Sequence, residues 1–283
     1  MLKKRTMTGP VQELIALLDL EKVEENIFRG SNPDDSSRRV FGGQVLAQAL
    51  VAASRTAPPE RLCHSLHAYF LRAGDPAAPI LYEVDRSRDG GSFSVRRVVA
   101  IQHGEQIFIL ASSFQKPESG FEHQAAMPKV PPPESLSDPL PEGDASVLEG
   151  LWRSRPFEFR PIEPRAFGDR PARPPLDHIW FRVKQTLEAP ATLHQAFLAF
   201  VSDMSLLDTA LLPHGKGIFS NVQVASLDHA MWFHRPFRVD DWLLYSQDSP
   251  AAYGARGFSR GLIFARDGTL IASVAQEGLV RPR

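Results

Sequence analysis

One acidic residue in the second half of the chain stands out as a candidate catalytic base. Asp203 falls in an apolar stretch that predicts one long helix over Leu193 to Leu211, with apolar residues one helical turn away on either side. Burial disfavours the charged form of a carboxylate, so it raises the pKa and strengthens the group as a base. General-base activation of water near neutral pH requires such a group. A purely structural hydrogen bond to a neighbouring backbone or hydroxyl group is the alternative.

Two further polar residues could hold a water molecule beside this carboxylate. Ser226 and Gln276 lie in predicted strands, near residues 221–233 and 270–279, that could face the helix. A hydroxyl and a carboxamide can each donate to and accept from one water without adding charge. Fifty residues separate them, and fifty residues also separate Ser65 from Gln115 in a similar sequence context. This matched spacing predicts an internal duplication; two unrelated hairpin sheets are the alternative.

The first half lacks the acid. The interval from Asp203 to Ser226, counted back from Ser65, reaches Gly42 in the run Gly42-Gly43-Gln44, with no carboxylate nearby. We therefore expect one competent half and one degenerate half.

Several residues outside the trio are candidates for substrate binding. Gly42, Gly43 and Gln44 begin a predicted helix, where backbone N–H groups and the helix dipole suit an oxyanion or a phosphate. A tight turn is the simpler explanation of the two glycines. His64 and His229 lie in predicted strands and are candidates for site polarity, although packing is the simpler role for each.

The elements that must position these residues follow the same order twice. A helix of small and apolar residues over Gln44 to Ala53 precedes four predicted strands, which is typical of an α+β unit. Thirteen of the 24 prolines fall within residues 116–176, which indicates a linker with one short helix near Val147 to Trp152. We therefore divide the chain into a first half (1–115), a linker (116–176) and a second, catalytic half (177–283).

Composition excludes several functional classes. The formal net charge of −1 provides no overall field for nucleic acid or for an anionic membrane. The single cysteine, Cys63, excludes an intrachain disulfide and a multi-cysteine metal site, and it favours a reducing compartment such as the cytoplasm. The pattern of the first residues is not typical of a signal peptide, so we expect none there, and no uninterrupted apolar run predicts stable membrane insertion.

Five motifs, in order along the chain, resemble the thioesterase II family of bacterial and peroxisomal acyl-CoA thioesterases. They are RVFGGQ (39–44), HAYFLRAGD (67–75), SSFQ (112–115), GFEHQ (120–124) and DHAMWFHRPF (228–237). The resemblance implies a double hot-dog fold, in which two antiparallel sheets, each wrapped around a central helix, join into one continuous sheet. It also implies hydrolysis of acyl-CoA without a metal or cofactor, and a homodimer or homotetramer.

The family's Asp–Ser/Thr–Gln triad falls on Asp203, Ser226 and Gln276. Two other functions remain open at this point. One is an enoyl-CoA hydratase of hot-dog fold that uses an Asp and a His such as His229. The other is a non-catalytic acyl-CoA-binding protein that has kept the duplicated fold.

Overall fold

A computed structural model describes residues 9–33, 39–136, 156–163, 168–217 and 220–283. The helices are α1 (Pro10–Leu18), α2 (Gly42–Ser54) and α3 (Ala191–Ser202), with 3₁₀ helices at Pro133–Ser135 and Leu206–His214. The strands of the first half are β1 (Glu21–Glu24), β2 (Ile27–Gly30), β3 (Leu62–Phe70), β4 (Ile80–Asp89), β5 (Phe93–Gln102) and β6 (Glu105–Gln115). Those of the second half are β7 (Phe157–Pro161), β8 (Leu176–Val183), β9 (Val222–Ser226), β10 (Asp228–Phe233), β11 (Leu243–Tyr253), β12 (Arg256–Ala265) and β13 (Leu270–Pro282).

The strands form one antiparallel sheet whose order repeats about its centre. The order is β1-β2-β4-β5-β6-β3-β10-β13-β12-β11-β8-β7, and β9 pairs with β13 outside this path. The series β2-β4-β5-β6-β3 on one side of the centre corresponds to β8-β11-β12-β13-β10 on the other. The two halves join where β3 pairs with β10, for example His67 with Ala230. The sheet is therefore continuous across two halves of equivalent topology.

The two central helices lie against each other inside this sheet. Both are rich in alanine and other apolar residues, and most of their side chains are buried. Small residues allow close approach between the helices. A Cβ atom at Gly43 would stand 2.4 Å from the backbone oxygen of Phe200, so the contact requires glycine. As a result, the start of α2 packs directly against the end of α3.

The long helix predicted over Leu193 to Leu211 is wrong at its centre. Helix α3 ends at Ser202, Asp203 is its C-terminal cap, and a separate 3₁₀ helix follows from Leu206. Side chains beyond the break bond to β11, where Gln247 donates to Ser205 Oγ over 2.7 Å and accepts from Thr209 Oγ1 over 3.0 Å. Ser202, Asp203 and Ser205 make the sequence polar at the break, but the apolar residues on both sides favoured one continuous helix. The bonds to β11 that hold the second segment are tertiary and are not visible in the sequence pattern.

The residue alignment of the duplicated halves also needs correction. Gln115 lies opposite Phe93, the first residue of β5, whereas Gln276 lies opposite Ser259, the fourth residue of β12. The residue that matches Gln276 is therefore Ser112, opposite the fourth residue of β5. The predicted match of Gln115 with Gln276 is wrong by three residues. An odd shift turns a side chain to the other face of a sheet, and indeed Gln276 is buried whereas Gln115 is only half-buried.

The other two pairs matched by sequence, Ser65 with Ser226 and Gly42 with Asp203, also lie in different elements of the fold. Ser65 lies within β3 and pairs with both β6 and β10, whereas Ser226 ends β9, which pairs with β13. Gly42 is the first residue of α2, so it does not match Asp203, which caps the end of α3. The C-terminal cap of α2 is Arg55. The topology is duplicated, but the fifty-residue interval is not a structural equivalence.

Other sequence predictions have mixed outcomes. The strand predicted over residues 221–233 is two strands, β9 and β10, which separate at Leu227. The segment assigned to the linker contributes β7, which pairs with β8. The short helix predicted near Val147 to Trp152 lies outside the described residues. Within the described part of the chain, Ala191–His214 is the segment long and apolar enough to cross a membrane, and 72% of it is buried inside this fold.

Candidate active site

The candidate site is built around the carboxylate of Asp203 at the end of α3. Gln276 Nε2 donates to Asp203 Oδ1 over 2.7 Å, and Ser226 Oγ donates to the same oxygen over 3.1 Å. Gln276 Nε2 also donates to Ser226 Oγ over 2.7 Å. The three residues come from the C-terminal cap of α3, from β9 and from β13. The structure therefore brings together the three residues that the sequence grouped.

Strand pairing explains how the two strand residues reach this position. Strand β13 runs past the end of β10 and continues along β9, where Gly278 lies opposite Ser226. Gln276 is two residues before Gly278 on the same strand, and side chains two apart share a face. A Cβ atom at Gly278 would stand 2.3 Å from Leu207, so glycine there lets the 3₁₀ helix approach β13.

The pKa of Asp203 follows from its surroundings. Burial raises this pKa from the ordinary value of 3.8 to about 6, while the hydrogen bonds from Gln276 and Ser226 act in the opposite direction. Interactions with the Gly43 backbone amide and the Arg39 charge lower the pKa further. The balance leaves a carboxylate that is ionised at pH 7 to 8 yet more basic than an exposed one. Such a group can take a proton from water near neutral pH.

The first residues of α2 form the opposite wall of the site. A Cβ atom at Gly42 would stand 2.7 Å from Asp203 Oδ2 and 3.0 Å from the ring of Phe70. The missing side chain thus keeps space in front of the second carboxylate oxygen. The structure places Gly42 and Gly43 beside the trio, although not as the counterpart of Asp203.

Two of the predicted binding residues lie elsewhere. Gln44 is buried in α2, and its Nε2 donates to Asn32 Oδ1 over 2.8 Å and to Ser31 O over 3.2 Å. It therefore anchors the segment after β2. The His64 ring lies on β3 with Nε2 2.8 Å from Ser113 Oγ, and no hydrogen bond joins it to the trio among the described residues.

His229 belongs to the site through a hydrogen-bonded chain behind Gln276. Its Nδ1 lies 3.3 Å from Gln276 Oε1, and its Nε2 lies 2.9 Å from Ser202 Oγ. Burial lowers the pKa of His229 from 6.5 to about 4, so the ring is neutral. Ser202 Oγ also lies 2.9 Å from the Ala199 carbonyl, which can receive the same hydroxyl proton. Because Gln276 Oε1 can only accept, the neutral ring donates from Nδ1, and its Nε2 is left to accept the Ser202 hydroxyl in competition with that carbonyl. The Gln276 amide is thereby oriented with its NH₂ group towards Asp203 and Ser226.

Sequence reasoning missed Ser202 and Tyr245. Tyr245 is a buried residue of β11 whose hydroxyl donates to the Ser202 carbonyl over 3.1 Å. This bond ties the last turn of α3 to the sheet directly before Asp203. Ser202 is adjacent to Asp203 in sequence, but only the folded chain shows that its hydroxyl reaches His229. Within the described residues, no group of three or more His, Cys, Asp or Glu side chains could hold a metal ion.

Comparison with known proteins places the chain in a family. Residues 155–279 match the family described as acyl-CoA thioesterase, and residues 32–115 match the acyl-CoA thioesterase N-terminal domain. The chain is 43% identical to acyl-CoA thioesterase 2 of Haemophilus influenzae, over 97% of this chain and 99% of the relative. The chain belongs to the acyl-CoA thioesterase family. Hydrolysis of acyl-CoA thioesters, expected from the sequence motifs, is confirmed by this membership.

Solved structures agree with this family and identify the fold. The acyl-CoA thioesterase II from Mycobacterium marinum superposes with a TM-score of 0.81 at 43% identity, over 95% of this chain and 98% of that one. A conserved hot-dog protein from Alicyclobacillus acidocaldarius superposes with a TM-score of 0.76 at 21% identity, over 96% and 98% of the two chains. The expected double hot-dog, with its two halves in one continuous antiparallel sheet, is confirmed.

Proposed function

We propose that this thioesterase hydrolyses acyl-CoA with a water molecule that Asp203 activates. The observation that carries the proposal is the convergence of Ser226 and Gln276 on one oxygen of a carboxylate whose pKa is raised to about 6. The second carboxylate oxygen faces the space beside Gly42. That space is where a water and the thioester carbonyl can meet.

In this mechanism Asp203 takes a proton from the water as its oxygen attacks the thioester carbonyl carbon. A tetrahedral oxyanion forms and then collapses, the carbon–sulfur bond breaks, and the CoA thiolate leaves. The proton held by Asp203 passes to the thiolate, so the products are free acid and CoA. The open first turn of α2, which faces Asp203, is the proposed source of a backbone N–H group for the oxyanion.

Ser226 and Gln276 have separate roles in this arrangement. Both N–H groups of the Gln276 amide are used, one towards Asp203 and one towards Ser226. Gln276 therefore holds the other two residues in position. Ser226 Oγ has a remaining lone pair that can accept a hydrogen from the water. His229 acts through Gln276, by fixing the direction of its amide.

Asp203→Asn tests the base directly, because it keeps the shape of the side chain and removes the basicity. We expect kcat to fall by about 10²- to 10⁴-fold, the usual contribution of a general base. Release of CoA from decanoyl-CoA can be followed with a thiol reagent, and the one protein thiol, Cys63, is buried. Asp208→Asn, on the following 3₁₀ helix, is the matched control and should retain normal turnover.

Three outcomes would overturn the proposal. Near-normal turnover by Asp203→Asn would remove Asp203 as the base. Loss of crotonyl-CoA absorbance without thiol release would instead favour the enoyl-CoA hydratase, and tight acyl-CoA binding without any thiol release would favour a binding protein.

The assembly and the compartment are further parts of the proposal. We expect a homodimer or homotetramer, which light scattering of the purified chain would measure, and a cytoplasmic location. Acyl-CoA is the expected substrate, without nucleic acid as a partner.

A further inference from the structure

A cavity of about 310 Å³ lies at the far ends of the two central helices from the candidate active site. Its walls include the apolar side chains of Ile15 and Leu18 from α1, Val51 from α2 and Leu193 from α3. Arg55 and Asp19 supply one positive and one negative charge to its lining. A pocket of this size is at the lower end of the range for small-molecule sites.

The cavity occupies the place that matches the active site in the duplicated fold. The active site lies between the cap of α3, Asp203, and the start of α2. The cavity lies between the cap of α2, Arg55, and the start of α3 at Pro190 and Thr192. Equivalent positions therefore carry an acid in one half and a guanidinium in the other.

Arg55 forms an ion pair with Asp19 that an incoming anion can replace. Its Nη2 donates to Asp19 Oδ1 over 2.7 Å, and its Nη1 donates to Leu20 O over 2.5 Å. The side chains of Arg55 and Asp19 are 35% and 78% exposed. An ion pair this exposed contributes little to stability, so a ligand carboxylate can take the position of Asp19 at small cost.

We propose that this cavity binds a fatty acid anion of medium chain length. The tail lies among Ile15, Leu18, Val51 and Leu193, and the carboxylate pairs with Arg55 in place of Asp19. Fatty acid anions are products of thioester hydrolysis, so the biological relevance of this binding rests on the proposed function. The binding itself does not depend on that function. A single guanidinium suits one carboxylate better than the several phosphate charges of CoA.

Photocrosslinking and titration calorimetry on the full chain test the proposal. A decanoate analogue with a diazirine in its chain should label peptides that contain residues 10–18, 51–55 or 190–193. From hexanoate to decanoate, affinity should rise about fourfold for each methylene that enters the apolar cavity. Arg55→Gln should weaken decanoate about two- to fivefold, the range of a partly exposed ion pair, and leave decanol unchanged. Asp19→Asn should tighten decanoate.

Thr192→Trp should fill the cavity and abolish this labelling, whereas its control, Thr192→Ala, should keep it. Thermal unfolding checks that each variant is folded. If Thr192→Trp does not fold, Ile15→Trp fills the same cavity from α1. Labelling confined to peptides around residues 42–44 and 203 would overturn the proposal, because the product would then bind only in the active site. Labelling that persists in both filled variants would overturn it too. Equal loss of decanoate and decanol in Arg55→Gln would overturn the carboxylate assignment.

Thiol release separates this proposal from the catalytic one. Asp203→Asn should lose turnover and keep the cavity labelling. Arg55→Gln should keep turnover and weaken decanoate binding.

Discussion

The ends of α3 and α2 occupy equivalent places in the two halves, yet they differ in charge, in their strand partners and in what faces them. Asp203 at the end of α3 meets two strand residues, Ser226 and Gln276, and faces Gly42 at the start of α2. Arg55 at the end of α2 meets Asp19 beside α1, near an apolar cavity. One duplicated architecture thus provides a polar candidate active site at one end and a largely apolar pocket at the other.

In the first half, side chains at the end of α2 form hydrogen bonds with one another, at the place that corresponds to the candidate site of the second half. Arg96, the fully buried counterpart of Ser259, donates Nε to Thr56 Oγ1 over 3.0 Å and Nη2 to Asp89 Oδ1 over 2.7 Å. These bonds hold the end of α2 to the sheet. A buried charge that is fully partnered is structural rather than reactive. The half without the acid therefore has a different set of hydrogen-bond partners at the matching helix end.

The largest expected difference between the halves is the effect of substituting the second residue of α2 or of α3. Gly43→Ala would place a Cβ atom 2.4 Å from the Phe200 carbonyl and force α2 away from Asp203. We expect the free energy of unfolding to fall by about 1–3 kcal/mol and kcat to fall about 10²-fold, because a small displacement misplaces the reacting groups. Thr192→Ala, at the same position of α3, is the control. It should change neither the free energy of unfolding, measured by denaturation, nor kcat, measured by thiol release.

His229 offers a smaller effect that separates positioning from packing. His229→Leu removes the donor to Gln276 Oε1 and frees the amide to rotate, so kcat should fall about tenfold or more with little change in KM. His229→Asn can restore a donor near the Nδ1 position and should recover much of the loss. Equal losses in both variants would show that the ring matters only for packing.

The smallest effect is on stability, and its sign follows from the pKa of Asp203. Because folding raises this pKa from 3.8 to about 6, the ionised carboxylate destabilises the fold, and stability is lost as pH rises through that window. Asp203→Asn has no such cost, so its Tm should exceed that of the parent chain at pH 7.5, with the advantage shrinking towards pH 4. Arg55→Gln, at the other helix end, should show no change of this kind between the two pH values. An Asp203→Asn protein that melts below the parent at pH 7.5 would contradict the raised pKa.

The sequence predicted the secondary structure and the candidate trio by different routes. Helix and strand periodicity indicated α2, most strands and the repeated order, and an acid in an apolar run drew attention to Asp203. The double hot-dog fold and the grouping of Asp203 with Ser226 and Gln276 as a triad were implied by the resemblance to the thioesterase II family. The break after Ser202 was not predicted, because the side chain that bonds to the segment after it, Gln247, lies in a distant strand. The matched interval from Ser65 to Gln115 was misleading, because a spacing along the chain does not specify register across a sheet.

The pH dependence of kcat/KM tests the central claim that Asp203 is the base, because this parameter reports ionisations of the free enzyme. With decanoyl-CoA, kcat/KM of the parent chain should rise with pH through an inflection near 6, the value to which burial raises the pKa of Asp203. The residual activity of Asp203→Asn should lack that inflection. A parent profile that is flat between pH 5 and 8, or an inflection that persists in Asp203→Asn, would contradict the account.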